Sequence, residues 1–148
     1  MKEFVIRKMK PTDLINVHSL ETESFNDPWT MKQFEYEISE NPISHQFVVE
    51  VDDVLVGFIV FWITFNSSTI CKIAIKKEFR NEGLGSALLT TMFSVLEENE
   101  VETVTLEVNT KNEEAIKFYT KCGFNTVTIN KQYYVDGSDA YYMVRILI

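Results

Sequence analysis

The sequence predicts a mixed α/β domain of about seven strands and about four helices. Three observations lead there. Short runs rich in β-branched and aromatic residues alternate along the chain with stretches of three- and four-residue apolar spacing. Two of the strand-like runs meet across Asp52-Asp53, a hairpin turn. The composition, 148 residues with 45% hydrophobic and 24% charged content, is that of one globular unit spanning residues 1–148. A chain of this length buries roughly 68–70% of its unfolded surface.

Residues 4–7 read as a first strand. Pro11-Thr12-Asp13 then opens a helix, with Leu14, Val17, His18 and Glu21 along one line and Ile15 beside it. The stretch from Phe25 through Pro28-Trp29 interrupts the chain. Thr30 and Gln33 form a capping box for a second helix, which ends near Ser39, before Asn41-Pro42. Residues 47–51 and 54–63 make the hairpin. The second of these is the longest apolar stretch, bounded by Asp53 and Thr64. It falls far short of the roughly 18 residues a membrane span needs and predicts a strand buried on both faces.

Residues 69–75 form the next strand, by β-branched content and partial alternation. From Leu84 onward Leu88, Met92, Val95 and Leu96 keep helical spacing as far as Glu98. A strand at 103–108 and a helix at about 112–121 follow, with Gly123 as the helix stop. Strands at 124–129 and 140–147 complete the order. No repeat, low-complexity tract or interdomain linker interrupts it.

A net charge of −8 argues against nucleic-acid binding and suits a basic partner. The local exception is a positive island of Lys72, Lys76, Lys77 and Arg80, offset by Glu78. Cys71 and Cys122 form no spaced framework and read as reduced thiols packed inside a cytoplasmic protein. The start Met-Lys-Glu-Phe has no apolar signal region, which agrees with that compartment. His18 and His45 lack partners at ligand spacing, so no metal site is expected; His18, on a helix face, reads as structural.

The residues Arg80-Asn81-Glu82-Gly83-Leu84-Gly85 join the 69–75 strand to the long helix. A basic residue and two glycines there let backbone N–H groups at the helix start approach an anion closely. A Walker loop is excluded, because Ser86-Ala87 follows the second glycine. A dinucleotide fingerprint is excluded too, because Leu88 fills the place of its third small residue. A short pyrophosphate cradle and an ordinary strand-to-helix turn both remain.

Four separated signals coincide with one pattern: Arg80-x-x-Gly83-x-Gly85 before a helix, the strand Leu106-Glu107-Val108, an asparagine-led helix ending Phe118-Tyr119, and Gly123-Phe124 after it. In that order they resemble the GNAT superfamily of N-acetyltransferases, over essentially the whole chain. The resemblance implies the GNAT fold, with a mixed, mostly antiparallel central sheet. Phe25 before Pro28-Trp29-Thr30, then Tyr133-Tyr134, then Gly137-x-Asp139-Ala140-x-x-Met143 are similar to the bacterial ribosomal-protein alanine N-acetyltransferase branch, the RimI type. Lys77 stands where many relatives have proline, and Ser86 where many carry a basic residue. The second departure removes one phosphate contact but leaves backbone donors.

That resemblance implies acetyl-CoA as cosubstrate and, as acceptor, the N-terminal alanine of a small-subunit ribosomal protein. An α-amine, with a pKa of about 7.7–8.0, gives up its proton far more readily than lysine at about 10.4. A lysine, a polyamine or another small amine is the alternative acceptor, and an acyl-CoA-binding sensor without turnover is the non-enzymatic alternative. On the 103–108 strand Val104, Leu106 and Val108 share one face, so Glu107 projects from the other. It is either an exposed strand residue or, as the resemblance implies, the proton acceptor. Tyr119 lies on a stripe with Ala115, Ile116 and Cys122; packing and cleft positions are both open, and the resemblance implies a proton donor to the CoA thiolate. Asn112 either caps its helix or, if Thr110 caps, is released toward the pantetheine arm. Backbone groups of Ile73, Ala74 and Ile75 would meet the same arm, and Arg80, Asn81, Glu82, Gly83, Leu84, Gly85 and Ser86 the pyrophosphate. Trp29, Tyr133 and Tyr134 are candidate walls of the acceptor pocket. Glu35 and Glu37 either attract a basic peptide or form a solvated helix face.

Overall fold

In chain order the computed structural model, which describes residues 3–148, runs β1 (Val5–Lys8), a 3-10 turn (Pro11–Asp13), α1 (Leu14–Ser24), α2 (Met31–Ser39), β2 (Ser44–Val51), β3 (Val54–Thr64) and β4 (Ser67–Ile75). A second 3-10 turn (Lys77–Phe79) leads to α3 (Leu84–Glu98), β5 (Thr103–Asn109), α4 (Glu113–Lys121), β6 (Asn125–Asn130) and β7 (Ala140–Ile146). The strands form one seven-stranded sheet in the order β1-β2-β3-β4-β5-β7-β6. Every neighbouring pair is antiparallel except β4 and β5.

β3 lies deep in this sheet because helices cover both its faces. Phe58 and Val60 pack with Val17, Leu20 and Phe34 of α1 and α2. Ile59 and Phe61 pack with Leu88, Met92 and Leu96 of α3. Fully burying side chains of this size contributes about 1.5–3 kcal/mol each, which explains why an unbroken apolar run sits here. Asp52 and Asp53 both adopt left-handed φ, 51° and 63°, the geometry of a two-residue hairpin turn.

The capping box forms as expected: the Thr30 hydroxyl accepts from Gln33 N–H at 3.2 Å, and Gln33 Oε1 accepts from Thr30 N–H at 2.7 Å. The first helix starts later than its proline suggests. Asp13 accepts from Lys10 N–H at 2.7 Å and from both Arg7 terminal nitrogens at 2.8 Å, which tightens residues 11–13 into a 3-10 turn. Ile15, expected beside the buried line, is exposed. β2 and β4 extend beyond their predicted starts because Ser44 and Ser67 pair with Trp62 and Thr64 of β3, so partner strands complete what side-chain type does not signal.

Candidate active site

The parallel ladder between β4 and β5 stops early. Ser67, Ser68 and Thr69 pair with Thr103, Val104 and Thr105, and beyond them the strands part. A bulge helps to turn β4: Val60 faces Lys72 and Phe61 faces Ile70, leaving Cys71 as the extra residue. Such an insertion adds twist and re-aims the side chains around it. The ladder thus leaves a wedge between residues 71–75 and 106–109, and β4 leads on from it toward the start of a helix.

That helix is α3. Gly83 is its N-cap with φ 83°, Asn81 has φ 62°, and no side chain caps the first turn. The N–H groups of Leu84, Gly85 and Ser86 therefore lack intrahelical partners, an arrangement that suits an anion. The two glycines serve different ends. Gly83 supplies the left-handed turn, whereas a Cβ on Gly85 would stand 3.2 Å from Cζ of Phe118. Leu84 sends its side chain into the core and offers only its backbone. Glu82 and Ser86 are exposed, and Arg80 folds back so that Nε donates to the Ile75 carbonyl at 3.0 Å. The Ile75 oxygen is thus already engaged, and Ile73 with the Ile75 N–H carries the open edge, whereas Ala74, opposite Phe58, turns its backbone groups toward β3.

Glu107 lies on β5 opposite Tyr142, on the face away from the α3 core, as alternation predicts. It is half-buried, and burial raises its carboxyl above the ordinary value. No hydrogen bond restrains it among the described residues. Tyr119 sits on the opposite, α3 side, 8% exposed. Its position is set by a Schellman end to α4: Phe124 N–H donates to the Tyr119 carbonyl at 3.0 Å and Gly123 N–H to Thr120 at 3.1 Å. Gly123 holds φ 93°, and the Tyr119 ring meets Phe124 edge-on at 5.8 Å and Phe118 at 5.3 Å. Burial pushes the phenol far above its ordinary range, so it stays protonated.

Tyr133 and Tyr134, in the β6–β7 loop, connect the two faces. Their rings pack edge to face at 5.0 Å. Burial, followed by the neighbouring Tyr133 and Glu107, pushes Tyr134 up to about 12, and Tyr134 in turn influences Tyr119. Tyr133 also lies within electrostatic reach of Glu107 and Cys71. Asn112 does cap α4: its Oδ1 accepts from Ala115 N–H at 3.1 Å. The release of Asn112 by a Thr110 cap therefore does not occur, because the asparagine carbonyl reaches the first turn directly. Only its amide Nδ2 remains for a ligand.

Lys72 does not join the positive island. The bulge turns it inward, where Nζ meets Glu21 Oε2 at 2.9 Å beneath the Phe25 ring at 4.2 Å and the Trp29 ring at 5.5 Å. Glu21 is fully buried; its Oε2 also accepts from Trp29 N–H at 2.8 Å, and its Oε1 has no hydrogen-bond partner among the described residues. This pair fixes the α1–α2 loop and so Trp29, whose ring packs edge-on against Phe34 at 5.3 Å. Glu37 is no solvated residue either: it is buried and accepts three hydrogen bonds, while Glu35 is exposed. Glu21 and Glu37 both stand at helical spacing within apolar stripes, the signal that marks them as interior. Cys71 and Cys122 are half-buried rather than enclosed, and burial raises both thiols, which leaves them poor nucleophiles. No group of three metal-ligating side chains gathers among the described residues, and no helix is long and apolar enough to cross a membrane.

Residues 14–124 match the model of the acetyltransferase (GNAT) family. A Bacillus subtilis protein named as a candidate ribosomal protein bS18-alanine N-acetyltransferase is 37% identical over 139 residues, covering 93% of this chain and 92% of its own. The crystal structure of the ribosomal-protein-S18-alanine N-acetyltransferase from Escherichia coli superposes with a TM-score of 0.88 at 29% identity, over 97% of this chain and 94% of that one. Ard1 from Thermoplasma volcanium superposes with a TM-score of 0.90 at 33% identity, over 98% of each.

Proposed function

The chain belongs to the acetyltransferase (GNAT) family, similar to its RimI-type members, and on that footing we propose that it acetylates the N-terminal alanine of a small-subunit ribosomal protein. The observation that carries this reading is the convergence, at one wedge, of an uncapped helix N-terminus, an unpaired strand edge and a half-buried glutamate. Acetyl-CoA, the cosubstrate, supplies the acetyl thioester when bound. The residues present fit it: the α3 amides suit a pyrophosphate, and the unpaired edge at Ile73 and the Ile75 N–H, with Asn112 Nδ2, suits an amide-bearing arm.

The chain's own part is positioning and proton management. Holding an amine beside a thioester contributes up to about 7–11 kcal/mol in well-oriented systems, more than a single proton transfer at about 10²–10⁴-fold. Glu107 Oε takes the proton of the attacking amine; burial raises its basicity toward that task. Tyr119 Oη holds a proton for the departing sulfur, and its raised pKa keeps that proton in place until it is needed. Trp29, fixed by Glu21 and Lys72, and Tyr133-Tyr134 wall the acceptor entrance from two sides.

The test is an incubation with acetyl-CoA and two peptides, one with a free N-terminal alanine and one blocked at its N-terminus but carrying lysine. Mass spectrometry locates the added acetyl group. Acetyl on the alanine amine supports the reading. Acetyl on lysine alone assigns a different acceptor.

A further inference from the structure

The face that carries Glu107 continues across the sheet into a second feature. Trp62 pairs with Thr69, and Thr69 with Thr105, so the three form one row; the Thr69 and Thr105 hydroxyls touch at 3.2 Å. Glu107 lies two residues along β5 on the same face. With strands about 4.8 Å apart and a rise of about 3.3 Å per residue, Trp62 lies roughly 12 Å from Glu107. An extended peptide covers that span in about three or four residues.

At that distance an open cleft of about 600 Å³ is walled by Trp29, Tyr36 and Trp62. Its floor is Glu37, only 6% exposed. The carboxylate accepts from Trp62 Nε1 at 2.6 Å, Ser44 Oγ at 2.8 Å and Asn41 Nδ2 at 3.0 Å. All three donors are neutral, and Glu37 makes no ion pair among the described residues. A buried anion without a counter-charge is costly, and aromatic faces attract cations. Cys71, on β4, lies within electrostatic reach of both Glu37 and Glu107.

We propose that this cleft is a subsite for a cationic side chain, lysine or arginine, three or four residues beyond the reacting amine of the acceptor polypeptide. The proposal rests on the acceptor reading above and names a charge requirement that reading lacks. Lys32 stands exposed at the rim, where solvent and salt screen its repulsion.

Both tryptophans of the chain line this cleft, so intrinsic fluorescence reports its occupancy directly. The full chain is titrated with alanine-initiated peptides bearing lysine at the fourth or fifth place, and with norleucine counterparts. The lysine peptide should bind about tenfold more tightly, a difference that corresponds to about 1.4 kcal/mol. Glu37→Gln should abolish the discrimination. Because Glu37 also ties α2 to β2 and β3, Tyr36→Ala provides a second variant on an exposed wall, with a several-fold loss expected, and Lys32→Glu should strengthen the preference. Equal binding of lysine and norleucine peptides at every place overturns the subsite. If alanine acetylation meanwhile proceeds with either peptide, the acceptor reading stands without it. Cation-dependent fluorescence without any acetylation supports the subsite and removes the acceptor reading instead.

Discussion

Replacing Tyr119 by phenylalanine removes one oxygen and leaves the ring, and the structure separates what that should and should not change. The ring is held by Phe118 at 5.3 Å and Phe124 at 5.8 Å, contacts a phenylalanine keeps. The hydroxyl donates to no group among the described residues, so its loss orphans no partner, and the stability change should stay within about 0.5 kcal/mol. For a domain of this size that is about 1–2 °C in melting temperature. The proposed proton donor, by contrast, is gone. Turnover should fall by about 10²–10⁴-fold, the usual worth of a positioned acid. Thiol release from acetyl-CoA, followed by a colorimetric thiol reagent under saturating acceptor, gives kcat; calorimetry with CoA gives affinity, expected within about twofold of the parent because the ring still fills its place. A kcat within threefold of the parent, with unchanged melting, would show that Tyr119 is a packing residue and that the thiolate takes its proton elsewhere.

Two further outcomes follow from neighbouring geometry. Gly123→Ala forces a side chain into φ 93° and sets its Cβ 3.3 Å from Arg145 Nε, so the melting temperature should drop by about 3–8 °C for a left-handed cost of about 1–2 kcal/mol; calorimetric scans check it. Glu107 has its carboxyl raised by burial, so the acid limb of the pH–rate profile should lie above the ordinary value of 4.5, and Glu107→Gln should lose turnover by about 10²–10⁴-fold. A raised carboxyl stabilises the fold only while protonated, and that contribution is lost as pH rises through its folded value; Glu107→Gln should therefore match or exceed the parent's melting temperature at neutral pH, with the difference fading in acid.

The sequence was most legible where a local rule suffices. The Thr30–Gln33 box, the Gly123 stop and the alternation that turns Glu107 away from Leu106 all depend on residues within a few places of one another. It was least legible where one residue shifts the frame. Cys71, a bulge in β4, turns Lys72 from an expected surface cation into the buried partner of Glu21, and no local pattern announces an extra residue opposite another strand. Glu21 and Glu37 were hidden for a related reason. Each sits on an apolar stripe, but the groups that make burial tolerable, Lys72 and Trp62, arrive from distant strands. Asn112 was a contest between two local caps, and Thr110 loses because Asn112 already accepts from Ala115.

The position of the candidate site follows from connectivity rather than from any single residue. β4 and β5 are the parallel neighbours of this sheet, and parallel neighbours cannot be joined by a hairpin; a crossover must intervene, and here it is α3. A crossover helix begins where the first of its two strands ends. The unpartnered N–H groups of α3 therefore lie beside the same strand ends at which β4 and β5 diverge. Divergence exposes backbone donors and acceptors along residues 71–75, and such groups require partners. Arg80 satisfies one of them at the Ile75 carbonyl. The remaining edge is left for water or for a ligand with amide groups of its own. An anion at the helix end and a chain of amides along the strand are thus requirements of one topological feature. A ligand carrying both, with its reactive end directed toward Glu107, meets them together.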